Sequence, residues 1–440
     1  MEHNKMQLQQ YINIHPVLKI EKKSRIAYVS LIYHLCKKSK EDILWSNSML
    51  ALMKTRFTDG EDLFSVETNS HNNLLFKEKN SCVLKHKFFK YRYSILTDCL
   101  FINAFGDKKK GKIILNRICK IFPNNKKKLL RLYNLFYKVE LKIIKKEFSL
   151  MEDIFRIIKN NREFLLEPEK RIIITANMSA GKSTLLNALA GKKVNKTQND
   201  TCTAKIHYLY NKAGEDNLSY ELDYDLELDA SFDILMEDNI ENDSLEVVVG
   251  TRFRSLRSIE KRVCFIDTPG VNSSQNIEHR EMTDDALSYE KYDLLIYLLN
   301  GENIGTNDDI KHLKYVYDSY QGDVLFLVNK LDHYKKDTDS VQDTLHKVKE
   351  DLIKIGFASP RVYPISAYAA YLAKMSIYDM KLSDDEIDDR EFRKRKLSKE
   401  KFRYDKYYDI PPYTVDEKNE DEVLLRNSGI LSLEKILYEG

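Results

Sequence analysis

Four short groups of residues, in chain order, have the types and spacing to hold a nucleotide. The first is Ala176-Asn177-Met178-Ser179-Ala180-Gly181-Lys182-Ser183, followed by Thr184. It fits the phosphate-loop pattern GxxxxGK[ST] except that Ala replaces the first glycine, and Ala is small enough to keep the turn. Where such a loop follows a strand and opens a helix, backbone N–H groups and the positive helix terminus cradle phosphates. Lys182 then neutralises β and γ oxygens, and Ser183 offers its hydroxyl to Mg²⁺.

The other three groups narrow nucleotide to guanine nucleotide. In Asp267-Thr268-Pro269-Gly270, Asp267 can hold a water on Mg²⁺ and the Gly270 amide can sense a γ-phosphate. In Asn329-Lys330-Leu331-Asp332, the Asp332 carboxylate can accept from guanine N1 and from its exocyclic amine, while the Lys330 stem lies along the base. Ser366-Ala367 supplies a loop amide for guanine O6. Adenine presents the wrong donors to Asp332, and site groups left unpaired are what reject a wrong ligand strongly. Gaps of 85, 62 and 37 residues between Lys182, Asp267, Asn329 and Ser366 leave room for intervening strands and helices.

These residues need a scaffold that brings strand ends together. RIIIT at 171–175, VCFI at 263–266, DLLIYLL at 293–299, DVLFLV at 323–328 and RVYPI at 361–365 read as buried strands separated by helical patterns. That alternation predicts an α/β, three-layer, mostly parallel sheet over 166–440. Upstream, apolar residues from Arg25 to about Asn160 recur at three and four, as in Ile26, Val29, Ile32 and Leu35. This is the helix period, and it predicts a helical bundle domain over 1–165 with breaks at Asp59-Gly60, Gly106-Asp107 and Pro123-Asn124-Asn125.

The 440 residues are 42% hydrophobic and 32% charged, which suits a globular chain of two or three domains. A scarcity of turn residues, 14 Gly and 8 Pro, disfavours an all-β sandwich. No apolar run approaches the ~18–20 residues of a membrane span, and the N-terminus lacks a signal-peptide pattern. The six cysteines form no CxxC, so a reduced cytoplasmic chain is expected.

A net charge of +3 conceals a split: residues 1–160 carry +17 and the remainder −14. The basic part can attract anionic lipid, nucleic acid or an acidic protein face, including the acidic part of its own chain. An acidic insertion spans about 211–255, with 13 Asp and Glu against one Lys over 211–250. Within it, Tyr220, Leu222, Tyr224, Leu226 and Leu228 alternate with acidic residues as in a half-buried strand. A second charged insertion, about 376–410, reads as exposed helix or loop.

The chain resembles the dynamin superfamily of large GTPases, particularly bacterial dynamin-like proteins, over about 150–440. The resemblance lies in Ser179-Ala180-Gly181-Lys182-Ser183, STLLNAL, NDTCTA at 199–204, and DTPGVNSS followed by EHREMTDDAL. It implies GTP bound with Mg²⁺ and hydrolysed to GDP and phosphate. The metal set is then Ser183, Asp267 and a switch threonine, for which Thr203 is the better match and Thr201 the alternative. Ser179 is implied to contact the attacking water or a monovalent cation and to complete the site across a GTP-dependent homodimer, giving Ser179, Lys182 and Thr203 as the catalytic set.

The residue after Gly270 is Val271, so the water-orienting glutamine of Ras-type sites is absent and positioning must come from another source. His279 and His207 lie near the motifs, but γ-phosphate hydrolysis depends on positioning and charge stabilisation more than on a strong base. Cys202 reads as a small loop filler. Only 74 residues follow Ser366, too few for the family's long stalk and paddle, so any bundle must come from the N-terminal side. There, residues 92–122 resemble small all-helical TerB-type domains.

The expectation is therefore a cytoplasmic GTP hydrolase, peripheral to membranes through anionic attraction at most, with a separate protein partner for any membrane action. A non-hydrolysing GTP-dependent binding module and an RNA- or ribosome-associated switch are the alternatives. The absence of an RNA-binding motif argues against nucleic acid.

Overall fold

A computed structural model describes residues 5–36, 43–60, 88–177, 179–195, 205–236, 246–268, 291–320, 322–335 and 339–439. The readings made for Met178, Thr201, Cys202, Thr203, Gly270, Val271 and His279 lie outside the described residues. The chain divides into two compact units. One comprises Met1–Leu166 with Ala213–Tyr220 and Asp225–Asp229; the other comprises Glu167–Lys212, Glu221–Tyr224 and Ala230–Gly440.

The first unit is helical, with helices at Lys22–Cys36, Ile43–Thr58, Arg92–Asn103, Lys108–Ile121, Lys126–Tyr137, Leu141–Glu147 and Glu152–Leu166. Breaks fall where the turn residues stand. Asp107 caps the Lys108 helix by accepting the Lys109 and Lys110 amides at 2.8 and 3.0 Å. Those backbone bonds, the Lys110 amide first, hold its carboxyl below the usual range.

Helix Arg92–Asn103 is the centre of this unit, buried from Ser94 to Ile102. Its Asp98 is a charge inside the core, which costs heavily unless it is hydrogen-bonded. It accepts from Tyr11 Oη at 2.6 Å and Tyr28 Oη at 2.7 Å, and it meets His15 Nε2 at 3.2 Å. Burial, with the Asp98 charge beside them, pushes both phenols well up, so each stays a donor. His15 Nδ1 accepts the Val17 amide, which assigns the ring proton to Nε2 and towards Asp98.

Part of the acidic insertion belongs to this unit. The Leu8 amide donates to Asp216 Oδ2 at 2.8 Å, and Gln7 Nε2 donates to the Glu215 carbonyl at 2.9 Å. Within the insertion, the expected alternation fails over 221–224 and holds over 226–229. Strands β3 (Tyr220–Leu222) and β4 (Leu226–Glu227) are short and separated by a bend. Glu221 is buried and Tyr224 is 78% exposed. Asp223 turns inward to pair with Lys205, 18 residues away in sequence, at 3.2 Å, which breaks the period of two.

The second unit is built on a sheet. Strands β1 (Glu169–Ala176), β2 (Ile206–Asn211), β5 (Glu246–Thr251), β6 (Arg262–Asp267), β7 (Leu294–Asn300), β8 (Val324–Asn329) and β9 (Arg361–Pro364) lie in the order β5-β2-β6-β1-β7-β8-β9. Strands β6, β1, β7, β8 and β9 are mutually parallel; β2 runs antiparallel to β6 and parallel to β5. Covered on both faces, the central strands are continuous apolar runs: Ile172 to Ile174 and Leu295 to Leu298 have no accessible surface.

The parallel run decides where the motifs meet. Register pairs Ile174 with Asp267, Ala176 with Leu298 and Asn300 with Asn329. The carboxyl ends of β1, β6, β8 and β9 therefore share one edge of the sheet, the edge where open α/β sheets hold ligands.

Candidate nucleotide site

Strand β1 ends at Ala176, and the chain turns through the phosphate loop into the helix Lys182–Ala190. Two residues of the turn are in the left-handed region, Ser179 at φ +59° and Gly181 at φ +93°. Gly181 is needed for a second reason: a Cβ there would lie 2.5 Å from Asn329 Nδ2. Asn177, expected at the nucleotide, donates its side-chain amide to Asp309 Oδ1. Within the loop Ala180 is buried, and Ser183 and Thr184 sit half-buried at the helix start.

Lys182 Nζ donates to Asp267 Oδ1 and to the Thr268 carbonyl. With side-chain exposures of 15% and 10%, the Lys182–Asp267 pair is shielded from solvent screening. The other oxygen, Asp267 Oδ2, accepts from Asn195 Nδ2 at 3.1 Å. Thr268 Oγ1 donates to the Ile174 carbonyl at 3.2 Å, fixing the end of β6 against β1.

Asn195 is held by Asn187, a fully buried residue of the Lys182–Ala190 helix. Asn187 Oδ1 accepts the Val194 and Asn195 amides at 2.8 and 2.9 Å, and its Nδ2 donates to the Asn195 carbonyl at 2.9 Å. Asn187 stands within STLLNAL, where the motif chemistry assigns it no role. A polar residue facing an otherwise apolar core was the available signal.

Asn329 ties two motifs together. Its Nδ2 donates to the Ala180 carbonyl at 2.8 Å, and its Oδ1 accepts the Ala367 amide at 3.0 Å. The Ser366 amide donates to the Ser428 carbonyl at 3.0 Å, while Ser366 Oγ caps the helix Ala367–Ile377. Both amides of the Ser366-Ala367 loop, read from sequence as a source for guanine O6, thus have protein acceptors; through Ala367 the loop positions Asn329.

Lys330 stands at φ +65°, with Nζ 3.7 Å from Glu302 Oε2. Glu302 also meets His333 Nδ1 at 2.8 Å, and that hydrogen bond, first among its causes, lowers the Glu302 carboxyl. Asp332 is buried, and its Oδ2 accepts from Arg393 Nε at 3.1 Å.

Arg393 belongs to the stretch read as an exposed charged insertion. That stretch forms the expected helix, Asp384–Leu397, opened by a Ser383–Glu386 capping box; its first nine residues are exposed or half-buried, but it buries Arg393, Lys396 and Leu397, followed by buried Phe402 and Tyr404. The physical reason is that long cationic stems cover apolar surface and lie on aromatic rings: Lys396 Nζ is 4.3 Å from the Phe402 ring centre. A run of mixed charge carries no sequence signal for which single cation turns inward.

His207, on β2, is half-buried and pairs in register with Asp267. Among the described residues no group of three or more His, Cys, Asp or Glu is arranged to hold a metal ion. Mg²⁺ fits the donors that are present, a hydroxyl at Ser183 and a carboxylate at Asp267, because it prefers hard oxygens, retains waters and takes much of its shell from phosphates.

Residues 172–331 match the family model described as the Dynamin family. Dynamin-like protein A of Bacillus subtilis is 24% identical over 200 residues, which are 45% of this chain and 16% of that protein. A probable transmembrane GTPase FZO-like, chloroplastic, of Arabidopsis thaliana is 25% identical over 241 residues, 54% of this chain and 23% of its own length. GTPase Der of Trichlorobacter lovleyi is 32% identical over 104 residues, 22% of this chain and 23% of its own. The chain thus spans less than a quarter of the length of each of these relatives.

Proposed function

We propose that this chain, whose α/β unit is a P-loop GTPase domain of the dynamin superfamily, binds GTP with Mg²⁺ and hydrolyses it to GDP and phosphate, stimulated by pairing of two GTPase domains. The observation that carries the reading is the double hydrogen bond of Asn329, which joins the phosphate loop to the Ser366-Ala367 loop beside the Asp332 carboxylate. This link supports reading the phosphate loop and the base-reading residues as one site.

Lys182 moves from Asp267 to the β and γ oxygens, where more negative charge awaits it than one carboxylate carries. Ser183 and Thr203 would offer hydroxyls to Mg²⁺ and Asp267 would hold it through a water, and the ion would supply charge neutralisation for the transferred phosphoryl group. Asn195 keeps Asp267 oriented through Oδ2 when Lys182 leaves. Asp332 selects guanine. Ser179, held in a left-handed backbone that a non-glycine residue seldom adopts, is the loop residue that positions the attacking water or a monovalent cation.

No glutamine follows Gly270, so ordering of Ser179 and the switch threonine by a second copy supplies the missing positioning. Each tenfold in rate is about 1.4 kcal/mol of barrier, within reach of immobilising one loop. The helical unit offers exposed lysines on Lys108–Ile121 and Lys126–Tyr137 for a protein partner or an anionic surface. No helix among the described residues is long and apolar enough to cross a membrane.

The test is GTPase rate against protein concentration, with and without anionic liposomes or RNA. Specific activity that rises with concentration, accompanied by a GTP-dependent dimer in sedimentation, is expected. A constant specific activity with no dimer would contradict the pairing, and equal binding of ATP and GTP would contradict the guanine assignment.

A further inference from the structure

Asp332 lies in a nearly dry setting and has one cationic partner among the described residues. The Arg393 and Asp332 side chains are 7% and 3% exposed. Arg393 Nε donates to Asp332 Oδ2 at 3.1 Å, and Nη1 donates to Asp389 Oδ1 at 2.8 Å. The guanidinium carbon sits 4.6 Å from the centre of the Tyr368 ring, two residues beyond Ser366. Burial, then the Asp389 charge, pushes the Tyr368 phenol up to about 12, so at neutral pH the ring under the cation is uncharged. One helical turn on, Lys396 donates to the Tyr334 carbonyl. The helix Asp384–Leu397 is therefore fastened at two points to the loop after β8, and at one of them it also touches the helix that follows the Ser366-Ala367 loop.

We propose that Arg393 is a positioning residue for guanine recognition: it fixes the rotation of the Asp332 carboxylate and balances its charge so that both oxygens accept from the base. This rests on the reading of Asp332 as the guanine acceptor. Guanine presents N1–H and the 2-amine in one rigid plane, so the carboxylate must lie in that plane to take both. Arg393 uses one lone pair of Oδ2, and Oδ1 accepts from no described residue, which leaves an acceptor site on each oxygen. A neutral side chain in place of Arg393 leaves a buried carboxylate without its countercharge and free to rotate, and breaking a buried pair in this way is far more disruptive than losing a surface contact.

The experiment compares equilibrium binding of GDP, inosine diphosphate and ADP to the full chain and to its Arg393→Gln and Arg393→Lys variants, each checked for a cooperative thermal transition. Inosine diphosphate keeps N1–H but lacks the 2-amine, so the ratio of GDP to inosine diphosphate affinity isolates the second hydrogen bond. Arg393→Gln is expected to weaken GDP at least tenfold and inosine diphosphate less, so that the GDP preference over inosine diphosphate falls by roughly tenfold. Arg393→Lys, which keeps the charge, restores part of that preference. A role confined to anchoring the helix would lower the melting temperature and leave the preference intact, which would overturn the proposal; so would tighter GDP binding by Arg393→Gln, since Arg393 would then be a competitor of the base. If Arg393→Gln does not fold, Arg393→Lys decides by the same ratio: a preference unchanged from the wild type overturns the proposal, and a reduced one supports it. A wild-type chain that does not prefer GDP over ADP would instead remove the Asp332 reading itself.

Discussion

Asn329 reaches across 149 residues of sequence to donate its side-chain amide to the Ala180 carbonyl at 2.8 Å. Together with the Ala367 amide on Oδ1, this makes one side chain the link between two loops that share no local sequence. Asn329→Ala leaves a buried carbonyl and a buried amide unpaired, at about 1–3 kcal/mol each. GDP affinity measured by equilibrium titration is expected to fall by roughly 10- to 100-fold while the fold persists. Gly181→Ala, which drives a methyl into the same amide at a left-handed backbone position, should do similar damage. Wild-type affinity in either variant would refute the coupling.

Lys182→Ala should abolish nucleotide binding, because no other cation among the described residues stands at the start of the phosphate-loop helix. Thr203→Ala should leave GDP binding largely intact and remove turnover. Should Thr203→Ala turn over normally while Thr201→Ala does not, the switch threonine is Thr201.

Asp332→Asn should weaken GTP and favour xanthosine nucleotides, whose C2 carbonyl accepts from the new amide. Competition between guanosine and xanthosine diphosphates reads this directly, and an unaltered preference would show that Asp332 does not read the base.

Asn187→Ala should cost about 2–3 kcal/mol, because three hydrogen bonds to the 194–195 backbone disappear from a fully buried position. A fall in melting temperature of roughly 5–10 °C is expected. Since Asn195 then loses its hold on Asp267, turnover in the folded variant at low temperature should also drop. A variant with wild-type stability and rate would show that this network contributes neither.

Anionic liposomes should bind the chain reversibly and weakly, at ~1 kcal/mol per basic residue near the surface, with release as salt shortens the range of attraction. Co-sedimentation across a salt series measures this. Retention at high salt would indicate insertion, and GTP-dependent tubules in negative stain from the purified chain alone would reverse the expectation that a separate partner is needed.

The sequence by itself determined the elements and the motifs they carry. A run such as RIIIT is apolar on both faces, the period of three to four over 25–160 is helical, and both are local properties that burial enforces. The phosphate loop is likewise local, since neighbouring amides, one lysine and one hydroxyl make its chemistry. What only the tertiary structure decided depends on contacts between residues far apart in the chain. Asn187 and Asn195 reach Asp267 because a helix and the loop after it fold back together. Asp223 turns away from the expected alternation because the fold brings Lys205 to it. Arg393 was one cation among many in SDDEIDDREFRKRK, and only the packing of its helix against the loop after β8 singled it out. Charge is a surface property in sequence averages, whereas a buried pair is set by which two side chains the fold brings into hydrogen-bond reach, and no local pattern encodes that.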